Sequence, residues 1–560
     1  MTPRPWRLRR PVPQGARPWK PLEDAWGLSS AAARLAWMRG VDDPQELAWR
    51  LDPAWSRTFD PWLMEGMGAA VARVQAALAR NEGICVYGDY DVDGVTATAL
   101  LVRVLERLGA RVHFFIPNRF DDGYGLHLDC IREILDRWQP GLLISVDCGI
   151  RSSAEVAASR ELGLDWIITD HHALGEGLPE AAACLHAHLG DYPNRHLAGV
   201  GVAFKLAQAL LGAAPTPGAG DQPFLDGLLK LVALGTLADM VPLVGENALL
   251  AKRGLQALGR PNGPGLDGLL RAARCEGSVR SRDIAFGVGP RLNSVGRMGG
   301  AEEAVRLLLA RDAGEAGALL ARVEALNTQR RSIQRELAEL LREPGDGAFD
   351  LVVEPTAHKG VIGIVAGQRM HATGRPSGVC TVLDGVVHGS LRAPEGYDLT
   401  ELLEQARPFL RTGGGHRAAA GVTFDLSRLS FVQETFQRGA AEQARRLESP
   451  ALPVDGAGED TIPGFAELLR LEPFGQGFPE PRIAARGQLD RPAATFGHGA
   501  LKLRLQGFEA PLNWFAPGPE VPTQGQTLSL AVGPEDHPRW GRSWRVEAPL
   551  ALECRGREMP

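Results

Sequence analysis

Cysteine is sparse in this sequence and never closely paired: the seven residues (85, 130, 148, 184, 275, 380 and 554) are scattered, odd in number and form no CxxC. That excludes a zinc ribbon and argues against a disulfide framework, so reduced thiols in a cytoplasm are expected. Long uncharged apolar runs are missing too. None reaches the roughly 18 residues a membrane span requires, and the basic start MTPRPWRLRRPVPQGARPWK is broken by prolines, with no apolar export segment behind it. Lysine is scarce, 6 residues against 55 arginines, and the net charge is −6. A protein that coats nucleic acid through bulk positive charge is thereby disfavoured, but a local arginine-lined groove is not. No GxSxG elbow or paired Cys/His arrangement offers a covalent nucleophile.

What remains is a chain of 560 residues, 44% hydrophobic and 23% charged, which is ordinary globular composition and enough for several domains. It is organised around GICVYGDYDVDG, residues 83–94. Ile84 to Tyr87 read as a buried strand, and Asp89, Asp91 and Asp93 follow two apart, so an extended backbone would aim all three the same way before Gly94 opens a helix. Three carboxylates gathered at a strand end repel one another and lose hydration, and a divalent cation held by oxygens relieves both.

From Pro61 onward strands and helices alternate: GICVYG, RVHFFIP, LLISVD and DWIITD, with helical segments between them. This is the pattern of a parallel sheet covered by helices, whose ligands bind at the carboxyl ends of the strands. Asp91 and Asp93 follow the first strand, Asp147 ends the third, and Asp170, His171 and His172 end the fourth. Leu225 to Leu243 read as an apolar helix with Asp239 near its end, and a buried carboxylate there needs a partner or a metal. Carboxylates with only one or two imidazoles suit Mn²⁺ or Mg²⁺ better than Zn²⁺.

A long helix over about Ala316 to Arg342 reads as a connector, with Arg322, Arg330, Arg331 and Arg335 facing either a cleft or solvent. Beyond it a second α/β unit begins, and its run GGGHRAAAG is expected to bring Gly414, Gly415, His416 and Arg417 to a phosphate at the start of an Ala-rich helix. From about residue 455 short alternating strands predict a small β-barrel of OB type. Its Trp514, Phe515, Trp540 and Trp544, with Arg539, Arg542 and Arg545, are candidates for stacking bases, core packing being the alternative for at least half of the rings. Residues 455–560 carry 11 Lys and Arg against 14 Asp and Glu, so electrostatics lend that reading little support.

The motifs GDYDVDG, SVDCGI, TDHH, GTLADMVPL, GVGPRLNSVGRM, HKGVIGIVAG and GGGHRAAAG, in this order over roughly residues 60–480, resemble the DHH phosphoesterases and within them the RecJ exonucleases. The chain is expected to divide into a lead-in over 1–60 packing on the first domain, a DHH catalytic domain over 61–315, a connector helix over 316–344, a DHH-associated phosphate- and substrate-binding domain over 345–450, and an OB-like single-strand-binding domain over 451–560. The resemblance implies Asp91, Asp93, Asp147, His171 and Asp239 as ligands of two Mn²⁺ or Mg²⁺ ions, with Asp93 and Asp147 bridging. His172 and His416 would contact the phosphate, Asp89 and Asp170 would orient ligands, and Asn293 and Arg297 would line the cleft. The implied activity is hydrolysis of single-stranded DNA from its 5′ end to mononucleotides in recombination and repair. The expected protein is a cytoplasmic monomer that acts beside a single-strand-binding protein and a helicase. An arginine fork from Arg119, Ser390 and Arg392 is the candidate for the terminal phosphate. Two other readings stay open: a phosphodiesterase on oligoribonucleotides or dinucleotides, and a non-catalytic single-strand-binding scaffold.

Overall fold

Five short strands after residue 83 form the first sheet, and the three central ones are buried without alternation because helices cover both faces, whereas the edge strand Val112–Phe115 exposes His113. They are β1 (Ile84–Tyr87), β2 (Val112–Phe115), β3 (Leu142–Val146), β4 (Asp165–Thr169) and β5 (Ala183–Leu185), all parallel, in the order β2-β1-β3-β4-β5. The chain steps outward from β1 to β2 and then returns to the other side of β1 for β3. This reversal opens a crevice beyond the carboxyl ends of β1 and β3. The computed structural model describes residues 4–551 apart from 121, 213–220, 261, 276, 448–450, 498, 516, 518–520 and 538–540.

Helix α1 (Val92–Arg107) packs between the sheet and two apolar helices, α2 (Gly199–Gly212) and α3 (Asp221–Ala238). Helix α3 stops at Ala238, so Asp239 lies just past its end and is only partly buried, not enclosed as expected. The same helix holds a second acid, Asp226, which pairs with Arg253 at 2.6 Å. Helix α4 (Gly289–Arg297) returns the chain to the acid loop, and the connector α5 (Ala313–Leu340) leads out of the domain, capped by Asp312. Its Arg322 pairs with Glu303, while Arg330 bonds Asn327 and Gln334.

The second domain contains β6 (Asp350–Val353), α6 (Lys359–Thr373), β7 (Ser377–Leu383), β8 (Val386–Arg392), α7 (Leu399–Ala406), β9 (Thr412–Gly415), β10 (Ala419–Asp425) and α8 (Leu429–Arg446). Its sheet runs β9-β10-β8-β7-β6, with only β6 and β7 parallel. The Ala-rich helix expected after His416 is instead strand β10, hairpin partner of β9, with Gly415 opposite Ala420. Gly415 is obligatory there: its φ is +144°, and a Cβ would stand 2.4 Å from the Ala419 carbonyl. Alanine favours helix weakly enough that a tight hairpin overrides it.

Seven strands between Gly456 and Pro549 form one further sheet, a sheet-rich domain consistent with an OB-like fold. One of its faces is covered by the amino-terminal segment. Trp19, Leu22, Trp37 and Leu47 share a core with Leu501, Leu512, Leu530 and Trp544, and Trp6–Leu8 pairs in parallel with Leu452–Val454. Buried Asp455 accepts hydrogen bonds or ion pairs from Arg9 and Arg39. Trp49, Trp55 and Phe59 pack on the core of the first domain, while the earlier tryptophans serve the carboxy-terminal sheet. An apolar sheet face needs a cover, but local sequence does not say which distant segment provides it.

Candidate metal centre and strand cleft

The acids gather in the crevice between β1 and β3. Strand β1 ends at Tyr87, and the chain folds so tightly onto the start of α1 that a Cβ at Gly94 would lie 2.6 Å from the Asp89 carbonyl. Asp91 caps α1, its Oδ1 accepting from the Asp93 and Gly94 amides at 2.9 and 3.2 Å. The extended triplet read from the sequence is thus replaced by a loop and a helical turn, because an aspartate at this position closes the helix start. Asp93, in the first turn of α1, is buried and accepts from the Gly199 amide at 2.6 Å and the Val200 amide at 2.9 Å. Those amides open α2, whose dipole favours the carboxylate.

Asp147 follows β3 with φ +62°, an uncommon backbone for a side chain and one tolerated at functional sites. His171 Nε2 lies 3.0 Å from Asp147 Oδ1 and 3.7 Å from both Asp93 Oδ2 and Asp239 Oδ2. Asp89, Asp91 and Asp147 form a second close group, and Asp147, His171 and His172 a third, each with ligand atoms within 4.8 Å. Asp170 holds the two histidines. Its Oδ1 accepts from the His171 and His172 amides at 2.7 and 3.1 Å and lies 2.8 Å from His172 Nδ1, while Oδ2 accepts from the Ile150 amide at 3.0 Å.

Among the described residues, three buried atoms here, Asp89 Oδ1, Asp147 Oδ1 and His171 Nε2, find no hydrogen-bond partner. Burial pushes the Asp93 carboxyl up to about 7, helped by the Asp91 charge, and that of Asp239 to about 8, helped by Asp93. Burial, then the charge on His172, drives His171 down to about 3. Burial also works against a charge on His172, but the hydrogen bond and charge of Asp170 prevail and raise it to about 9. Unpartnered lone pairs, crowded carboxylates and an unprotonated imidazole make a donor set that fits divalent cations. Close approach is built into the backbone: a Cβ at Gly199 would stand 2.6 Å from Asp147 Oδ1, and one at Gly235 2.7 Å from Asp93 Oδ1.

Arginines from both domains border this centre. Arg297 lies close enough to feel the charges of Arg119 and Arg392, and Arg392 that of Arg119, and none of the three makes an ion pair among the described residues. Arg297, pushed down to about 10 by burial and then by its arginine neighbours, donates to the Gly360 carbonyl of the second domain at 3.1 Å. Arg392 donates to Ser390 Oγ at 3.0 Å. Asn293 lies four residues before Arg297 on α4, on the same helical face. His416 is exposed on the β9–β10 hairpin and near enough to contribute to the lowering of His171. Gly414 and Gly415 are exposed beside it, and Arg417 pairs with Asp398 at 3.0 Å.

A family model described as "DHH family, N-terminal domain" matches residues 83–236, and one described as "DHHA1 domain" matches residues 347–442. The single-stranded-DNA-specific exonuclease RecJ of Thermus thermophilus is 35% identical over 90% of this chain and 74% of its own length. That of Escherichia coli is 34% identical over 80% of this chain and 82% of its own length. The chain belongs to the RecJ family. The RecJ of Bacillus subtilis is 36% identical over 85% of this chain, but the match spans only 61% of that relative. The crystal structure of Thermus thermophilus RecJ in complex with Mn²⁺ has a TM-score of 0.81 and 31% identity, covering 99% of this chain and 80% of that one. Its Mg²⁺ complex gives 0.75.

Two of the stacking candidates in this RecJ-family chain are corrected. Trp544 is 1% exposed and Trp514 8%, and both belong to the core shared with the amino-terminal segment, so neither ring presents a face to a base. Trp540 and Arg539 lie outside the described residues. Phe515 is exposed, Arg542 faces the Phe465 ring, and Arg545 pairs with Glu547 and Glu480. Sequence reasoning also missed Tyr124, whose hydroxyl lies 2.9 Å from His172 Nδ1 and donates to the Asp147 carbonyl at 3.3 Å. The stretch DGYGLH, residues 122–127 after β2, on the catalytic edge, is the signal that marks it. Nothing in local sequence marks the Gly199 and Val200 amides.

Proposed function

We propose that this protein is a metal-dependent exonuclease that hydrolyses single-stranded DNA from the 5′ end. The observation that carries the reading is the convergence of Asp91, Asp93, Asp147, His171 and Asp239, with unpartnered buried donor atoms, at the switch point of the first sheet. These five residues would hold Mn²⁺ or Mg²⁺, which when bound supplies Lewis-acid activation of water and neutralises phosphate charge. Asp170 fixes the ring and charge of His172, leaving its second nitrogen as a donor for a phosphate oxygen. His416 offers a further donor from the second domain. Membership of the RecJ family supports the substrate class, and the RecJ names and metal-bound structures support the cofactor.

Polarity is assigned to Arg119, Ser390 and Arg392. A terminal 5′-phosphate carries more charge than an internal phosphodiester, so arginines without acid partners select it. Their place beside Arg297, where the two domains meet, would seat the strand end next to the metals. A nuclease restricted to unpaired strands needs those strands opened and kept open, so a helicase and a single-strand-binding protein are the partners proposed, with a cytoplasmic monomer as the working form. None of the helices among the described residues is long and apolar enough to cross a membrane.

The test is an assay of single strands labelled at either end, duplexes and dinucleotides, each with Mn²⁺, Mg²⁺ or EDTA. Metal-dependent release of mononucleotides from 5′ ends of single strands is expected, and equal cleavage of dinucleotides alone would favour the small-substrate reading. Arg392→Ala is expected to lose most of the preference for 5′-phosphorylated over 5′-hydroxyl strands, about tenfold or more from a lost charge-assisted contact. A mutant that keeps the full preference places end recognition elsewhere.

A further inference from the structure

A cavity of about 890 Å³ opens at the end of α1 remote from the acids, and a smaller one of about 190 Å³ adjoins it, with Arg103, Phe224 and Gly263 in the walls of both. Three elements meet there: the last turns of α1, the start of α3, and the turn of Leu309, Ala310 and Arg311 that leads into α5. At 1.5 Å per helical residue, Arg103 lies about 15 Å and Arg107 about 21 Å along α1 from Asp93. A molecule held in this cavity stands apart from the metal centre.

The chain carries a net charge of −6, yet cations collect here. Arg103, Arg107 and Arg311 line the larger cavity and Lys230 the smaller. Arg107 is held by Asp221 at 2.7 Å, and Arg311 by Glu106 at 2.5 Å. Arg103 makes no ion pair among the described residues. Its one hydrogen bond among them donates to the Leu308 carbonyl, which leaves most of the five N–H groups of a guanidinium without an acceptor. Burial, then the charge of Arg311, holds Arg103 below its ordinary pKa, with Glu106 opposing. Burial likewise lowers Lys230; the Asp267 charge opposes this, and those of Arg103 and Arg260 add to it. Arg103 thus sits among like charges, while Glu106, whose charge it feels, is engaged by Arg311. Cations crowded into a partly dry recess are relieved by an anion.

Much of the remaining wall is apolar. Phe224, Pro264 and Leu309 stand beside the cations, and the Arg107 guanidinium lies 4.9 Å from the Phe224 ring centroid. Inorganic phosphate would occupy little of this volume and use none of the apolar wall. A planar base on an aromatic ring, with its phosphate on an arginine fork, uses both, and pockets for small ligands span roughly 300–1,000 Å³.

We propose that this cavity binds a nucleoside phosphate, Arg103, Arg107, Arg311 and Lys230 taking the phosphate charge and Phe224 the base, at a site distinct from the metal centre. The site stands whether or not the metal centre is a nuclease. Two sources share this chemistry: a nucleoside monophosphate, such as hydrolysis of a strand releases, and a free nucleoside polyphosphate.

The experiment is equilibrium dialysis of the full chain in EDTA, at low salt, against dAMP, ATP, adenosine or inorganic phosphate. One molecule of dAMP or ATP per chain is expected, with adenosine and phosphate at least about tenfold weaker. Tighter dAMP assigns the site to the released mononucleotide and tighter ATP to the polyphosphate; both support it. Arg311 is exposed, so Arg311→Glu should fold normally and weaken binding by about ten- to a hundredfold, the loss of a charge-assisted contact. Arg103→Met should do the same, with its fold checked by melting temperature; if it melts early, Arg311→Glu decides alone. Phe224→Ala should remove the advantage of dAMP over phosphate, and Arg392→Ala should leave nucleotide binding unchanged. Binding undiminished in Arg311→Glu, or lost in Arg392→Ala, overturns the cavity site and in the second case assigns the nucleotide to the strand-end cleft. So does inorganic phosphate binding as tightly as dAMP. A chain that retains neither nucleotide also overturns it, and a single strand whose affinity then falls in Arg311→Glu would make the cavity a strand contact instead.

Discussion

Asp93 stands at the centre of the proposed metal site: it is buried, it accepts two backbone amides, and it lies 3.7 Å from His171 Nε2. Asp93→Ala is expected to lower hydrolysis by more than about a hundredfold, beyond the range for residues that only support a ligand, while circular dichroism and single-strand binding persist. Activity within tenfold of wild type in saturating Mn²⁺ would sink the two-metal assignment. A different buried charge serves the fold. Lys205 and Glu246, both fully buried, pair at 2.6 Å; the Phe59 carbonyl accepts from Lys205, while the Phe59 amide and the Tyr192 hydroxyl donate to Glu246. Breaking the pair by Lys205→Met leaves the buried Glu246 charge without its counterion and should cost about 3–5 kcal/mol, read by urea denaturation. Replacing both partners with apolar side chains should restore most of that loss. Sequence identified the acids of the site because their chemistry is rare in an apolar context, but it did not identify Tyr124 or Lys205, whose partners lie 48 and 41 residues away.

At the scale of elements, the site depends on how closely α2 and α3 approach the acid loop. Gly199 opens α2 with its amide on Asp93 and no room for a Cβ beside Asp147. Gly199→Ala is therefore expected to displace Asp147 and to weaken Mn²⁺ binding by about 10- to 100-fold, the range seen when a ligand's support is removed. Isothermal titration with Mn²⁺ measures this directly, and wild-type affinity would show that the crevice is looser than the contact distances imply. The elements themselves were legible where a period was strong. The β1 to β4 strands and the long connector follow from apolar runs and uninterrupted helix formers. The β9–β10 hairpin departs from the glycine run and helix expected of that stretch, because alanine and glycine carry no side-chain pattern and pairing across the sheet decides their state.

Across the whole molecule, the amino and carboxy termini of the chain build one body. Arg50 shows the junction: buried, it donates to the carbonyls of Leu471, Pro473 and Leu243 and lies 3.7 Å from the Phe478 ring centroid. Deleting residues from 455 onward uncovers Trp19, Leu22, Trp37 and Leu47, so that truncation is expected to aggregate on size exclusion. Removing residues 1–48 as well should restore a soluble species. That doubly trimmed protein should lose roughly ten- to hundredfold in affinity for a fifty-mer while still cleaving trinucleotides, since the residues proposed to hold the metal all lie in the first domain. Equal losses on both substrates would count against a separate binding role for the sheet-rich domain.

The sequence by itself determined the chemistry and the order of the parts: acids after parallel strands, imidazoles at TDHH, arginines in NRF and HGSLR, and a β-rich tail. These are local, because residue type and spacing along a strand or helix are local properties. Only the tertiary structure decided which faces were already occupied. Trp514 and Trp544 look like stacking rings in a linear reading and are core residues because the first fifty residues fold over them. Phe286 and Met240 stand exposed on segments whose neighbours bind the carboxy-terminal domain, Leu243 at Gln476 and Arg280 at Glu472, which no local pattern announces. Burial is a property of the assembled chain, and no single stretch contains the partner that buries it.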